Sequence, residues 1–189
     1  MLRALRTALS LFALLTLLTG VLYPALVTVV AQSCFPWQAN GSLLHEGEQV
    51  VGSAHIAQAF RAEGWFHGRP SATTPEYNAL LSSGSNLGPT HPALEARVQA
   101  SLAALRASNL AQSAAIPIDL LTTSGSGLDP HISPAAALWQ VPRVAAASGL
   151  DPKRLEALVR AQTRPRLLGL FGEERVNVLE LNRELRSQR

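Results

Sequence analysis

The hydrophobic pattern divides the chain into two unlike parts. From Thr7 to Ala31 the sequence TALSLFALLTLLTGVLYPALVTVVA is apolar on every side and carries no charge. At ~1.5 Å per residue, a helix over this run is long enough to cross a bilayer core of about 30 Å. Beyond it, short apolar clusters alternate with Gly, Pro and Ser punctuation. Ser42-Leu43-Leu44 and Gln49-Val50-Val51 flank His45-Glu46-Gly47-Glu48 and predict a hairpin. His55 to Phe60 reads as a short helix, and Gly64 to Asn86 as an extended loop region. Thr90 or His91 followed by Pro92 starts a helix with Leu94, Val98, Leu102 and Leu105 on one face. Ile116 to Leu121 reads as a strand. Ser133-Pro134 opens another helix, running through Leu138. Asp151-Pro152 opens a third, with Leu155, Leu158 and Val159 inward. Asn177 with Glu180 three residues later resembles a capping box for a final amphipathic helix carrying Val178, Leu181 and Leu185.

The expected fold is therefore α+β, with one N-terminal transmembrane helix followed by a single domain of few strands and several helices. The expected boundaries are 1–6 for a cytoplasmic N-terminus, 7–31 for the transmembrane helix and 32–189 for an extracytoplasmic domain, beginning with a polar neck over 32–41. Orientation follows from Arg3 and Arg6, which precede the apolar run, while no Lys or Arg follows until Arg61. A cleaved secretory signal is the alternative, with Val29-Val30-Ala31 as a cutting site and Pro24 as a break ahead of it. The length of the run favours an uncleaved anchor, since signal cores are about 7–15 residues. Tyr23, Phe35 and Trp37 place aromatics toward the outer end. Thr16, Thr19, Gly20 and Thr28 give the helix small or polar positions suited to a helix–helix interface.

Composition narrows the function. The one cysteine, Cys34, excludes an internal disulfide and any Cys-based metal site. It reads as a small residue near the interface, because Ala31-Gln32-Ser33 is a poor lead-in for lipidation. The net charge of +3 is small, and the positive residues are nearly all Arg, with Lys153 the lone lysine. That is not a nucleic-acid footprint.

Two segments repeat a pattern. Ser83-Gly84-Ser85-Asn86-Leu87-Gly88-Pro89 and Ser124-Gly125-Ser126-Gly127-Leu128-Asp129-Pro130 each precede a helix start, the second through His131. Gly permits close backbone approach and Pro fixes the exit direction. Such loops either aim backbone groups at a ligand or form two structural turns. We expect the pair to lie together, supported by Arg69 or Arg143. Arg143 follows Pro142 in an apolar stretch, where a guanidinium needs acceptors, and Asp129 is a candidate partner. Ser124, Asp129 and His131 have the residue types of a hydrolytic triad. No Gly-x-Ser-x-Gly elbow is present, and Asp129 and His131 flank one proline. No Walker loop leads to Lys153, and the His residues lack zinc-site spacing. No catalytic residue and no metal ligand is assigned.

The same loops, behind one anchor, resemble the C subunit of the Kdp-type potassium-transporting ATPase. The resemblance runs from Thr19-Gly20-Val21-Leu22-Tyr23-Pro24 through Gln38 to Ser42, Gly68 to Thr73, Tyr77-Asn78-Ala79 and Ser82 to Pro89. It continues through Thr123 to Pro134, Gln140 to Ala145 and Arg175 to Leu179. Cys34, Trp37 and His91, where Asn is more usual, depart from the pattern. The resemblance implies a single-pass protein of the bacterial inner membrane. It implies three partners: a channel-like potassium-selective subunit, a P-type ATPase subunit and a small single-helix subunit. It also implies that the chain is needed for assembly and raises the ATP affinity of the ATPase subunit. ATP thus enters only by resemblance, and potassium would be handled by the partner. The competing readings are a stand-alone exported binding protein using the two Ser-Gly-Ser loops, and a hydrolase using Ser124.

Overall fold

The computed structural model describes residues 1–110 and 112–189. They form two compact units, Met1–Val51 and Gly52–Arg189. In the first unit, helix runs from Leu2 to Cys34, long and apolar enough to cross a membrane and unburied along its length. It comprises α1 (Leu2–Leu17), a wide π turn (Leu18–Leu22) and α2 (Tyr23–Cys34). The π turn lies just before Pro24. A proline lacks the N–H for the helical bond and crowds the carbonyl four residues back, here that of Gly20, and a widened turn absorbs both. The chain continues helical through Pro24, so the break considered there does not form.

The expected polar neck is also largely helical. Ser33 Oγ donates back to the Val29 carbonyl at 2.7 Å, within α2. After Phe35, Pro36 opens the short α3 (Pro36–Ala39), where a first-turn proline leaves no donor orphaned. β1 (Leu43–Glu46) and β2 (Gln49–Ser53) then form the hairpin expected from the sequence.

The second unit carries α4 (Pro92–Ser108), β3 (His131–Ile132), α5 (Pro134–Ser148), α6 (Pro152–Ala161), β4 (Thr163–Arg164), β5 (Arg175–Asn177) and α7 (Val178–Ser187). The three short strands form one antiparallel sheet in the order β3-β5-β4, with Ile132 and Thr163 both opposite Val176. α5 packs on α6, and α6 on α7. The core gathers Phe66, Ile132, Val144, Leu155, Val159, Val176, Leu181 and Leu185, all nearly inaccessible to solvent. The α+β class is thus as the sequence indicates.

Local capping explains the helix starts. His91 Nδ1 accepts from Ala93 N–H, Ser133 Oγ from Ala136 N–H, Asp151 Oδ1 from Lys153 N–H and Asn177 Oδ1 from Glu180 N–H. Two local expectations fail. Ile116 to Leu121 is not a strand. Leu120 N–H and Leu121 N–H close onto Pro117 and Ile118 carbonyls, making a 3-10 turn over Ile118–Leu120. Leu120 and Leu121 are both buried while Ile118 is exposed, so no alternation exists. His55 to Phe60 is not a helix, because its donors go elsewhere: His55 N–H to Ser53 Oγ, and Ala57 N–H to the distant Leu128 carbonyl. The helix expected through Leu138 continues to Ser148 despite Pro142, because Val141, Arg143, Val144 and Ala145 are all buried along it.

Candidate functional site

The two Ser-Gly-Ser loops come together in the second unit. Ser83 N–H and Ser82 Oγ–H both donate to the Ser126 carbonyl at 3.0 Å. Gly84 and Gly127 make the contact possible. A Cβ on Gly84 would lie 2.8 Å from the Gly125 carbonyl oxygen, and one on Gly127, at φ +67°, 2.6 Å from that of Ser83. Within the second loop, Ser124 Oγ accepts from Gly127 N–H at 2.9 Å and Ser126 Oγ from Leu128 N–H at 3.1 Å. The carbonyls of Gly127 and Leu128 accept from Ser71 Oγ and Ala57 N–H. These oxygens of the second loop are therefore engaged within it, with the first loop, or with Ser71 and Ala57. Ser85 is half-buried beside this contact and Asn86 is exposed, at a left-handed φ of +51°.

Residues 69–78 form a third layer. Ser71 Oγ also accepts from Thr73 N–H and Tyr77 N–H. Tyr77 donates its phenol to the Arg69 carbonyl at 2.6 Å. Burial, assisted by the Glu76 carboxylate, pushes the Tyr77 phenol up to about 12, so it stays a donor.

Arg69 supplies the support expected of it. Its guanidinium donates to Asp129 Oδ2 at 3.2 Å and to the Thr122 and Thr123 carbonyls. Asp129 Oδ1 accepts from His131 N–H at 3.0 Å and faces His131 Nδ1 at 3.4 Å. Burial pushes the Asp129 carboxyl upward, but the hydrogen bonds and charge of His131, with the Arg69 hydrogen bond, outweigh it and hold the group below its ordinary value. Arg69, Asp129 and His131 separate two open clefts. One of about 530 Å³ is bordered by Asp119, Glu173, Glu174 and Arg175, and one of about 690 Å³ by Ser124, Gly125 and Ser126. Among the described residues no group of three His, Cys, Asp or Glu side chains is placed to hold a metal.

Arg143 is not part of this site, and Asp129 is not its partner. Its guanidinium is buried elsewhere, donating to the Glu63 and Trp65 carbonyls and to Gln140 Oε1. Burial alone lowers its basicity, with the Glu63 charge opposing. Two buried amides, Gln140 and Asn182, serve the same stretch of backbone. Gln140 receives His67 N–H at 2.8 Å and donates to the His67 carbonyl at 3.0 Å. Asn182 does the same for Phe66, at 2.9 and 2.8 Å. Each amide thus pairs with backbone as a neighbouring strand would. The available signal was a polar residue at a buried helical position: Asn182 lies four residues after Val178 on the α7 stripe. Asp119 receives both Ser133 N–H and Ser133 Oγ–H and so steadies the start of α5.

In the N-terminal apolar helix, the hydroxyls of Thr19 and Thr28 donate to the Leu15 and Pro24 carbonyls of their own helix. Each hydroxyl thereby spends its donor and keeps its lone pairs as acceptors. Gly20 is open, since a Cβ there would meet only Thr16 Cγ2 at 3.9 Å.

Residues 5–187 match the family described as KdpC: K+-transporting ATPase, c chain. The potassium-transporting ATPase KdpC subunit of Rhodospirillum rubrum is 57% identical over 182 residues, covering 96% of this chain and 94% of its own. The subunit of the same name from Rhodopseudomonas palustris is 54% identical over 194 residues, covering 96% of both chains. That of Herpetosiphon aurantiacus is 54% identical over 178 residues, covering 94% of this chain and 92% of its own. Matches of this extent cover anchor, paired loops and core alike: the chain belongs to the KdpC family of K+-transporting ATPases.

Proposed function

We propose that this chain is the non-catalytic, membrane-anchored subunit of an ATP-driven potassium importer, and that it acts by position. The observation that carries this is one apolar helix, Leu2–Cys34, headed by Arg3 and Arg6 and joined to a domain whose conspicuous loops are bonded to one another. The charge asymmetry supports a cytoplasmic N-terminus in a bacterial inner membrane, with the domain outside. The partners are a channel-like potassium-selective subunit, a P-type ATPase subunit and a small single-helix subunit. The chain serves their assembly, with its domain docked over the potassium-selective subunit. An outside domain does not reach cytoplasmic ATP, so an effect on ATP affinity passes through membrane helices as a coupling free energy. The engagement of Ser124 Oγ by Gly127 N–H, with Ser126 Oγ as its other neighbour at 3.3 Å, supports a structural serine over a nucleophile.

The test is affinity capture of the tagged full chain from membranes of potassium-starved cells, with protease added to intact spheroplasts. Recovery of three companion subunits, with the domain cut from outside, is the expected result. A chain recovered alone refutes the subunit reading. A second reading, a stand-alone exported binding protein, draws on the two clefts around Asp129. It requires a mature N-terminus near Gln32 and recovery without membrane partners.

A further inference from the structure

A tight turn over 165–172 presents four large apolar side chains to solvent. Leu167 and Phe171 exchange both backbone hydrogen bonds at 2.9 Å. Leu167 is 68% exposed, Leu168 81%, Leu170 77% and Phe171 63%. Leu168 holds a left-handed φ of +54°, a conformation that branched side chains rarely adopt without compensation. A cluster of this kind on a domain that buries Leu155, Leu158, Leu181 and Leu185 completely or nearly so calls for a cover.

We propose that this turn is a lipid-contacting tip, which inserts into the anionic headgroup region of the bilayer that holds the anchor. Charge supports that occupant. Residues 150–189 hold nine of the Lys and Arg residues and six of the Asp and Glu, whereas the rest of the chain is balanced. The whole net charge of +3 therefore lies in the segment that carries the tip. Arg164 stands immediately before it and Arg166 within it, and Arg164 keeps a bond to Glu180 while its side chain is 47% exposed. Glu173 and Glu174 follow it but border the cleft of Arg69 and Asp129. Residue type separates lipid from protein. Protein–protein hot spots favour Trp, Tyr and Arg and are poor in Leu, whereas Leu and Phe beside Arg are the composition of interfacial insertion. Reach is supplied by the chain itself, because a tethered domain meets its own membrane at high effective concentration.

This inference rests on the anchor reading, and the experiment separates the two. The full chain, with Cys34→Ser, carries an environment-sensitive fluorophore through Leu168→Cys on the tip or Glu156→Cys at an exposed position of α6. It is reconstituted into vesicles containing phosphatidylglycerol and shallow doxyl-lipid quenchers, and measured again in the purified complex. Quenching at position 168 and none at 156, in both preparations, is the expected result. Arg166→Gln should reduce the quenched-to-unquenched ratio about fivefold, and vesicles of phosphatidylcholine alone should reduce it at least as far. A carbonate-resistant chain unquenched at 168 refutes the tip alone, and a carbonate-extractable chain refutes the anchor. A fluorophore that is dry yet unquenched in the complex assigns the turn to a partner subunit and overturns the proposal.

Discussion

Gly84 stands against the carbonyl of Gly125, close enough that a Cβ in place of its hydrogen would lie 2.8 Å from the oxygen. The neighbour is backbone, so it yields only by moving a loop. Gly84→Ala should cost about 1–3 kcal/mol. Gly125, on the other side of the same contact, has open space where its own Cβ would go. Gly125→Ala should stay within about 0.5 kcal/mol. Chemical denaturation of the two variants checks this asymmetry. Equal effects would show that the loops do not meet as described.

The buried guanidinium of Arg143 satisfies the Glu63 and Trp65 carbonyls. Arg143→Leu should destabilise the domain by about 2–4 kcal/mol, because removing a charged donor leaves acceptors dry and unpaired. Arg143→Lys should recover less than half of that, since one ammonium does not reproduce a planar fork. Thermal melts of the three proteins decide the matter. Asp129→Asn belongs in the same series, as it should leave Arg143 unaffected and complex assembly intact.

Acid should destabilise the domain over two pH ranges. Burial first, and then the Arg143 charge, lowers the His67 basicity, so the folded state favours its neutral form. Stability from this group is full above the unfolded value of about 6.5 and is lost as pH falls through the lower folded value. Asp129 is also depressed, but from the carboxylate range. Its contribution is present above about 4 and is lost as pH falls further. His67→Gln should remove the first loss and Asp129→Asn the second. Melting temperature followed against pH would show both, and a single loss insensitive to His67→Gln would contradict the first.

Gly20→Leu tests the anchor. The new side chain meets little within its own helix, so helix and domain should be unchanged. Recovery of the complex should fall severalfold, as close approach by a neighbouring helix is blocked. Full recovery would mean that any apolar helix serves.

Legibility in the sequence followed distance along the chain. The starts at His91, Ser133, Asp151 and Asn177 were readable because a cap bonds within three residues. The pairing of the Ser-Gly-Ser loops was readable as a repeat, and Arg69 as a candidate support. The partner of Asp129 was not, because Arg69 and Arg143 are equally plausible until tertiary structure places one of them in the core. The short segment at Ile116 misled because four apolar residues and a proline fit a strand or a tight turn equally well. Gln140 and Asn182 carry no local sign of their task, which depends on backbone more than seventy residues away.

Those distant amides also set a timetable. The Ala54 carbonyl waits for Asn177, 123 residues further on, and Phe66 for Asn182, 116 further on. Closing such spans is entropically slow compared with forming local turns. On the proposed topology, residues 54–67 leave the membrane early, and Ala54 and Phe66 lack these two amide partners until α7 follows. The domain therefore cannot mature during export, and synthesis must pass α7 before the fold locks. A chain cut short before α7 would leave the Phe66 backbone unpaired and the core without Leu181 and Leu185.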